Sequence, residues 1–268
     1  MEIPPAGNTR FLKLYLLNNT DVIQKDFSSE KIIFEKEYFN LRRKEGRIYN
    51  NEELIHLPDI NRIHPLYQEW KIRKQSCERL INYLVKKNGS PDILEVGCGN
   101  GWLSAKLAAI TNGKVTGMDI SSKELKQARE VFQYTHDLRF INGDIRDKGL
   151  GAKRFNVIVF AASVQYFPSL HEIINCAFQY LLPQGEVHIL DSPFYKPDEI
   201  EEAKQRSLTH FRLAGYPAMA KHYYHHCIND LEKYNYRILH SPFSIMNKLI
   251  RKKNPFYHIC IMKNKIIA

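Results

Sequence analysis

The sequence of 268 residues contains no apolar run that approaches the roughly 20 residues of a membrane-spanning helix. Its N-terminal stretch is apolar only briefly and is interrupted by lysine, so it lacks the continuous apolar segment of a signal peptide. We therefore expect a cytoplasmic protein with no membrane span. The apolar share of 44% and the charged share of 25% are ordinary for a folded protein, and the length favours one domain with elaborations.

Cysteine is scarce, and its spacing excludes the common cysteine-based scaffolds. The five cysteines are scattered, odd in number and free of any CxxC pair: Cys77, Cys98, Cys176, Cys227 and Cys260. We therefore expect neither structural disulfides nor a thiolate zinc site. This usage fits a reducing compartment.

Acidic residues are in the minority, since the sequence contains 29 Asp and Glu but 39 Lys and Arg, which gives a net charge of +10. A basic protein attracts anionic partners such as nucleic acid, phosphorylated small molecules or acidic glycans. The basic residues are spread along the chain, however, and no RNA-binding module is recognisable. We therefore interpret the basic residues as a solvated surface. A nucleic-acid partner is disfavoured but stays an alternative.

Strand-like and helix-like segments alternate from Asp92 onward, which is typical of an α/β sheet. Ser121 or Ser122 is expected to cap one of the helices, and a Pro-Gln-Gly turn is expected to precede the fifth strand. The strand-like segments are DILEVG, KVTGMDI, LRFINGD, FNVIVFAA, GEVHILDSP, YRILHSPF and FYHICIMKN.

The first ninety residues follow another pattern, with helix-like stretches at residues 29–44 and about 65–87. We divide the chain into an N-terminal helical cap over residues 1–88 and a domain over residues 89–268. That domain carries a helical insertion at about 197–233, before its last two strands.

Residues 93–104, ILEVGCGNGWLS, place three glycines at alternate positions behind an apolar run that contains an acid. Where a buried strand turns sharply into a helix, glycine lets the backbone bend and lets a ligand approach the free N–H groups of the helix. A dinucleotide fingerprint, G-x-G-x-x-G counted from Gly97, requires glycine at position 102, which is Trp102. The interpretation as a nicotinamide dehydrogenase is therefore less well supported, although it stays an alternative.

The E-x-G-x-G-x-G pattern resembles the first motif of class I S-adenosylmethionine-dependent methyltransferases. Downstream segments match the family in order, with an acid after the second strand for the ribose hydroxyls and an acid followed by isoleucine after the third strand for the adenine. The resemblance implies that S-adenosylmethionine is bound by Glu95, Gly97, Cys98, Gly99, Gly101, Asp119, Ile120, Asp144, Ile145, Ala161 and Gln165.

The resemblance implies a Rossmann-like three-layer sandwich with a mostly parallel seven-stranded sheet. It is strongest with the small-molecule branch, which includes quinone-biosynthesis methyltransferases. We expect methyl transfer to oxygen or nitrogen of a small-molecule or glycan acceptor, which can be anionic. RNA or protein methylation and a non-catalytic cofactor-binding module remain alternatives, and the sequence predicts no oligomeric state. The loop AASVQY lacks the Asn-Pro-Pro-aromatic signature of adenine or glutamine methylation and the Pro-Cys pair of cytosine methylation.

The resemblance does not identify a catalytic base, because positioning supplies much of the rate of an in-line methyl transfer. The candidates are His222, His225, Tyr195 and Asp191, each of which can instead serve packing or a turn. His222 and His226 are four residues apart, so a helix would place both on one face, as a metal site requires. No accompanying acid is present and the chemistry needs no metal, so we predict none.

The helix that begins near Pro65 contributes one further possibility. Tyr67, Trp70 and Arg73 can close a lid over the cofactor, although helix-to-sheet packing is the plainer role for Trp70.

Overall fold

The computed structural model describes residues 29–87, 89–147, 149–249 and 254–263. The described residues from Phe34 onward form one compact unit, which contains every site residue discussed below. The α-helices are α1 (Ser29–Lys44), α2 (Asn51–His56), α3 (Tyr67–Lys86), α4 (Trp102–Thr111), α5 (Ser122–Val131), α6 (Leu170–Tyr180), α7 (Ile200–Ala214) and α8 (Ile245–Leu249). The strands are β1 (Ile93–Val96), β2 (Val115–Asp119), β3 (Leu138–Asn142), β4 (Phe155–Ala161), β5 (Leu181–Leu190), β6 (Phe194–Tyr195), β7 (His226–Cys227), β8 (Tyr236–His240) and β9 (His258–Met262).

The seven longer strands form one sheet in the order β3-β2-β1-β4-β5-β9-β8. Neighbouring strands from β3 to β5 run parallel, whereas β9 runs antiparallel to both β5 and β8. This confirms the predicted mostly parallel sheet of seven strands. The strand order reverses between β1 and β4, and ligands of open α/β sheets bind at the carboxyl ends of the strands beside such a reversal.

Local capping explains where several helices begin. Ser121 precedes α5 and its side chain accepts a hydrogen bond from the N–H of Glu124, which confirms the predicted cap. Ser169 does the same for α6 through the N–H of Glu172. Asn50 and Glu53 form a reciprocal capping box at the start of α2.

Two apolar layers cover the two faces of the sheet, because side chains alternate along each strand. One layer joins β1, β2 and β4 to α3 and α4, through residues that include Ile93, Val115, Val157, Leu80 and Leu107. The other joins the opposite face to α6, through residues that include Leu94, Met118, Phe160, Ile173 and Ala177. Glu95 follows Leu94 and precedes Val96 on β1, and it is only 2% exposed. A carboxyl group is therefore buried within the sheet.

Pro183, Gln184 and Gly185 lie within the bounds of β5, which begins at Leu181 and therefore earlier than predicted. The strand is irregular at these residues, since Leu181 pairs with Phe155 and Glu186 with Val157, and Gln184 has a φ of +66°. His222 and His226 do not share a helix face, since His222 ends a short 3-10 segment and His226 lies in β7. Strands β6 and β7, which pair in parallel, were not predicted.

The segment before β8 contains α7 and short 3-10 turns at residues 197–199, 217–222 and 228–233. The division of the chain at residue 88 and the bounds of the insertion stay predictions. Among the described residues, no helix combines the length and the apolar character that a membrane span requires.

Candidate functional site

The glycine loop connects β1 to α4 at the carboxyl edge of the sheet. The N–H groups of Gly97 and Cys98 both donate to the carbonyl of Met118, at 2.8 and 3.1 Å, which fastens the loop to the neighbouring strand β2. Helix α4 begins at Trp102, directly after the loop. The loop therefore lies at the reversal of strand order, where the parallel sheet offers a ligand site.

Two of the glycines are required by the fold itself. Gly97 has a φ of +75°, and a Cβ built on it would lie 2.5 Å from the Cβ of Ser163, in the loop after β4. Gly101 has a φ of +77°, and its Cβ would lie 2.6 Å from the ring of Phe140 on β3. Both positions combine left-handed backbone with a neighbour too close for any side chain.

Asp119 ends β2 and holds the loop in place. Its Oδ2 accepts a hydrogen bond of 2.8 Å from the N–H of Gly99, and its Oδ1 accepts one of 2.8 Å from the N–H of Ser121. Burial raises the pKa of Asp119, and these backbone hydrogen bonds partly oppose the rise. Each carboxylate oxygen keeps a lone pair that a ligand can use.

Glu95 lies beneath the loop. Its Oε2 accepts a hydrogen bond of 2.5 Å from the hydroxyl of Ser104 on α4. Burial raises the pKa of Glu95 to about 8, against the lowering effect of that hydrogen bond. Glu95 therefore holds a proton near neutral pH and can donate as well as accept.

A cavity of about 70 Å³ opens above the loop. Its floor contains the predicted residues Glu95, Gly97, Cys98, Gly99, Asp119 and Ala161, together with Asn100, Trp102, Glu124 and Ala162. Its roof comes from the N-terminal helices and their connection, through Tyr38, Arg42, Arg47, Tyr49, Glu69, Trp70 and Arg73. A neighbouring cavity of about 280 Å³ shares Arg47, Tyr49, Asn100 and Glu124 with it and extends along α5.

The three arginines of the roof differ in their partners. Arg47 and Arg73 both pair with the carboxylate of Glu69. Arg42 extends over the ring of Tyr38, with its guanidinium carbon 5.7 Å from the ring centroid. Its Nε is buried and has no hydrogen-bond partner among the described residues, so Arg42 carries a donor that the protein leaves unused.

Arg42 interacts electrostatically with Glu124 on the floor, without an ion pair between them among the described residues. Burial raises the pKa of Glu124, and the positive charge of Arg42 opposes that rise. Burial also raises the pKa of Tyr38 and of Tyr166, whose rings meet edge to face at a centroid distance of 5.6 Å. Both phenols therefore stay neutral, and Tyr38, which lines the cavity, places a neutral phenol next to the cation of Arg42.

The remaining predicted cofactor residues lie outside both cavities. Asp144 forms a two-point ion pair with Arg146, and Ile145 is buried in the core at 1% exposure. Gln165 donates to the carbonyl of Ala162 at 2.7 Å, while its Oε1 is buried without a partner among the described residues. Gly101 and Ile120 line neither cavity. The binding roles of these residues stay predictions.

None of the four predicted catalytic side chains lines either cavity. Asp191 is buried and accepts a hydrogen bond of 2.6 Å from Ser76, and burial raises the pKa of Asp191 to about 6. His225 contacts Ser207 at 2.9 Å and lies with its ring centroid 5.5 Å from that of Tyr195. His222 packs edge to face on Phe34 at 4.9 Å. A catalytic role for any of them stays a prediction.

Most residues of the roof were not predicted from the sequence. Trp70 and Arg73 were considered as lid residues, and both line the cavity, but Tyr38, Arg42, Arg47 and Glu69 were not identified. Their spacing resembles that of an ordinary solvated helix, and only the packing of α1 and α3 over the loop distinguishes them. On the floor, Glu124 was missed because it is one of several charged residues in α5.

Comparisons with known proteins agree on the class of fold. Residues 93–185 match a family described as "Methyltransferase domain". The chain is 31% identical over 120 residues to the malonyl-[acyl-carrier protein] O-methyltransferase of Priestia megaterium, which covers 43% of each protein. It is 30% identical over 101 residues to the demethylmenaquinone methyltransferase of Chlorobaculum tepidum, covering 38% of this chain and 40% of that protein.

Among solved structures, the magnesium protoporphyrin IX methyltransferase of Synechocystis PCC 6803 with bound SAH superposes with a TM-score of 0.55 at 16% identity. The superposition covers 87% of this chain and 98% of that one, and it supports the fold alone. The chain aligns with less than half the length of both curated relatives. The matched residues 93–185 contain the glycine loop and Asp119, and they exclude the whole roof.

Proposed function

We propose that this chain, which carries a class I S-adenosylmethionine-dependent methyltransferase domain, transfers a methyl group from that cofactor to an oxygen of a small anionic acceptor, a carboxylate in the simplest case. The observation that carries the proposal is the cavity above the glycine loop, with Asp119 on its floor and the unpartnered Nε of Arg42 in its roof. The acceptor and the activity are our inference.

The floor of the cavity fits the cofactor in its donors and acceptors. The Asp119 carboxylate, held by two backbone N–H groups, can accept from two vicinal hydroxyls such as those of a ribose. Residues 97–99 offer backbone without side chains at Gly97 and Gly99, beneath the cavity. When bound there, S-adenosylmethionine supplies a methyl group on an electrophilic sulfonium.

The roof supports an anionic acceptor. Arg47 pairs with Glu45 and Glu69, and Arg73 pairs with Glu69, whereas Arg42 has no ion pair among the described residues. An arginine fork binds a carboxylate through two parallel hydrogen bonds. Trp70, Tyr49 and Tyr38 surround it with aromatic surface, so an anion bound there is partly shielded from water, which strengthens the pairing.

A carboxylate acceptor also fits what the cavity lacks. Among the described residues that line it, none is a histidine or a lysine. A carboxylate oxygen already carries the negative charge that attacks the methyl carbon, so no base has to remove a proton and orientation supplies the rate. The malonyl group in the name of the Priestia relative is a carboxylic acid, which is consistent with this acceptor class.

The size of the cavity implies that the roof moves. About 70 Å³ is well below the roughly 300 Å³ or more of a typical ligand pocket. Tyr38 and Arg42 lie on the part of α1 that contributes to the roof, so we infer that this part of α1 withdraws to admit the cofactor and then returns. Such closure excludes water and completes the acceptor site.

The experiment is a methyl-transfer assay with radiolabelled cofactor and a panel of acceptors matched in size, namely carboxylic acids, their amides and neutral alcohols. We expect transfer to carboxylic acids, and Arg42→Gln should raise KM for the acid at least tenfold with an unchanged affinity for S-adenosylhomocysteine. Arg43→Gln is the matched control, because Arg43 is the exposed neighbour of Arg42 on the same helix.

Three results would contradict the acceptor assignment. Equal rates of methyl transfer to acids and to neutral alcohols would show that the acceptor site does not depend on a cation in the roof. A loss of S-adenosylhomocysteine affinity in Arg42→Gln with an unchanged acceptor KM would assign Arg42 to the cofactor instead. Transfer to RNA or to a protein, with no transfer to any small acid, would favour the alternatives that the sequence leaves open.

A further inference from the structure

Four polar side chains are buried side by side on the sheet, remote from the glycine loop. Glu186 and His188 alternate along β5, while His258 and Cys260 alternate along β9, and His188 stands directly opposite Cys260 in the antiparallel register. Residues two apart on a strand point to the same face, so all four share one face. Their exposures are 4%, 0%, 1% and 0% in that order. Burial of so many polar groups is costly unless they have partners.

Three of these side chains converge on one point. The carboxylate of Glu186, the ring nitrogen of His188 and the Sγ of Cys260 each offer one donor atom, and these atoms all lie within 4.8 Å of one another. His188 Nε2 lies 3.5 Å from Glu186 Oε2, and it is buried with no hydrogen-bond partner among the described residues. An unpartnered nitrogen therefore points into a cluster of potential metal ligands.

The other ring nitrogen of His188 is held in place. His188 Nδ1 lies 3.0 Å from His258 Nε2. If Nδ1 carries the proton and donates to His258, the lone pair of His188 Nε2 is free to bind a cation. Histidines that bind metals usually donate their second ring N–H to a fixed acceptor in this way, which orients the ring and selects the tautomer.

We propose that Glu186, His188 and Cys260 bind one Zn²⁺ ion, with a water molecule as the fourth ligand. Mixed sulfur, nitrogen and oxygen donors suit Zn²⁺, whereas Mg²⁺ and Ca²⁺ prefer oxygen ligands alone. Cys260 binds as a thiolate, so its thiol proton is released to solvent when the ion enters. This proposal departs from the expectation, drawn from the lack of CxxC pairs, that the chain has no thiolate zinc site. The arrangement uses a single cysteine that strand pairing brings opposite a histidine.

Two half-exposed cations lie at the edge of the cluster. Lys87 Nζ lies 2.7 Å from Glu186 Oε2, and Arg237 donates to the Tyr83 hydroxyl at 2.8 Å. The Tyr83 hydroxyl in turn donates to Glu186 and lies 3.8 Å from Cys260 Sγ. Since the side chains of Lys87 and Arg237 are 48% and 53% exposed, both can turn to water when an ion replaces them.

The zinc site would be structural and independent of the proposed activity. None of its ligands lines either cavity at the glycine loop. An ion there would join β5, the last parallel strand, to β9, which pairs antiparallel with it. Zn²⁺ binding should therefore raise the thermal midpoint of unfolding while leaving the affinity for S-adenosylhomocysteine unchanged.

The test is a titration of the chelator-stripped full chain with Co²⁺ and then Zn²⁺, followed by absorption spectroscopy. We expect one equivalent of Co²⁺ to give tetrahedral d–d bands and a thiolate charge-transfer band, both removed by Zn²⁺. Cys260→Ser should lose the charge-transfer band. Cys176→Ser should keep it, because Cys176 hydrogen-bonds to the carbonyl of Ile145 away from the cluster.

Two further variants test the geometry even if Cys260→Ser folds poorly. Lys87→Gln removes the competing cation and should bind Co²⁺ several-fold more tightly. His258→Gln should weaken binding about 10- to 100-fold through the orientation of His188. Stoichiometric Co²⁺ that gives no thiolate band in the wild type, a band that persists in Cys260→Ser, or a Lys87→Gln variant that binds no tighter would each overturn the site.

Discussion

Asp119 Oδ2 accepts a hydrogen bond of 2.8 Å from the backbone N–H of Gly99, which ties the end of β2 to the middle of the loop that follows β1. The same carboxylate accepts from the N–H of Ser121, so one side chain fixes both the loop and the start of α5. An acid at this position therefore preorganises the loop before any ligand arrives, in addition to the ligand contact that we infer.

Asp119→Asn should lower the affinity for S-adenosylhomocysteine about 10- to 100-fold. Hydrogen bonds to a charged group contribute about 1.5–3 kcal/mol, and the amide keeps one acceptor oxygen in place of two. Calorimetric titration measures the change. Asp198→Asn serves as the control, because Asp198 is exposed and lines neither cavity. An Asp119→Asn variant that binds as tightly as the wild type would remove Asp119 from the site.

Gly101→Ala should destabilise the protein more than Gly46→Ala. Both glycines have positive φ, at +77° and +68°, but only at Gly101 would the new Cβ overlap a neighbour, the ring of Phe140. Left-handed backbone costs about 1 kcal/mol or more for alanine at either site, and overpacking adds about 1–3 kcal/mol at Gly101. Urea denaturation of the two variants gives the difference, and equal losses would show that Phe140 can move aside.

Glu95 makes the free energy of unfolding depend on pH. Its ordinary pKa is 4.5, and burial raises the pKa in the folded protein to about 8. The folded state therefore binds the proton more tightly, so this contribution is complete below about pH 4.5 and is lost as the pH rises toward 8. It does not change further at higher pH.

Glu95→Gln should flatten this dependence, because glutamine cannot ionise. Urea midpoints at pH 5, 6.5 and 8 for the wild type and the variant isolate the contribution of Glu95, since the other titrating groups are common to both proteins. We expect the difference in stability between the variant and the wild type to shift in favour of the variant as the pH rises from 5 to 8. Parallel pH profiles would show that Glu95 is ionised throughout this range.

Cofactor binding should change the exposure of α1 in the stretch that carries Tyr38 and Arg42. We infer that the roof opens to admit the cofactor, because the cavity above the glycine loop measures only about 70 Å³. The backbone amides of residues 34–44 should exchange their hydrogens at a measurable rate in the free protein. The exchange should be slower with saturating S-adenosylhomocysteine. Exchange that is equally slow in both states would place the entry route elsewhere.

The floor of the site could be predicted from the sequence because it is local. Glu95 and Asp119 lie in strands that are visible as apolar runs, Gly97 and Gly99 directly follow the first of these strands, and the resemblance gives the order of all four. Their neighbours in space are also neighbours along the parallel strands β1 and β2. Short-range patterns therefore suffice for this half of the cavity.

The roof could not be predicted in this way, because its residues meet the loop only through the packing of α1 and α3. Arg42 follows Leu41 and precedes Arg43 and Lys44, and nothing in that basic stretch distinguishes the residue that faces the cavity. The cluster of Glu186, His188 and Cys260 was missed for a similar reason, since it depends on the register of β5 against β9. Long-range strand register leaves no local signal in the sequence.

The most direct test of the account is calorimetric titration of the purified protein with S-adenosylhomocysteine and, separately, with NADH. We predict one micromolar site for S-adenosylhomocysteine and no binding of NADH. Tighter binding of NADH, or no binding of S-adenosylhomocysteine, would contradict the assignment of the glycine loop and of the cavity above it.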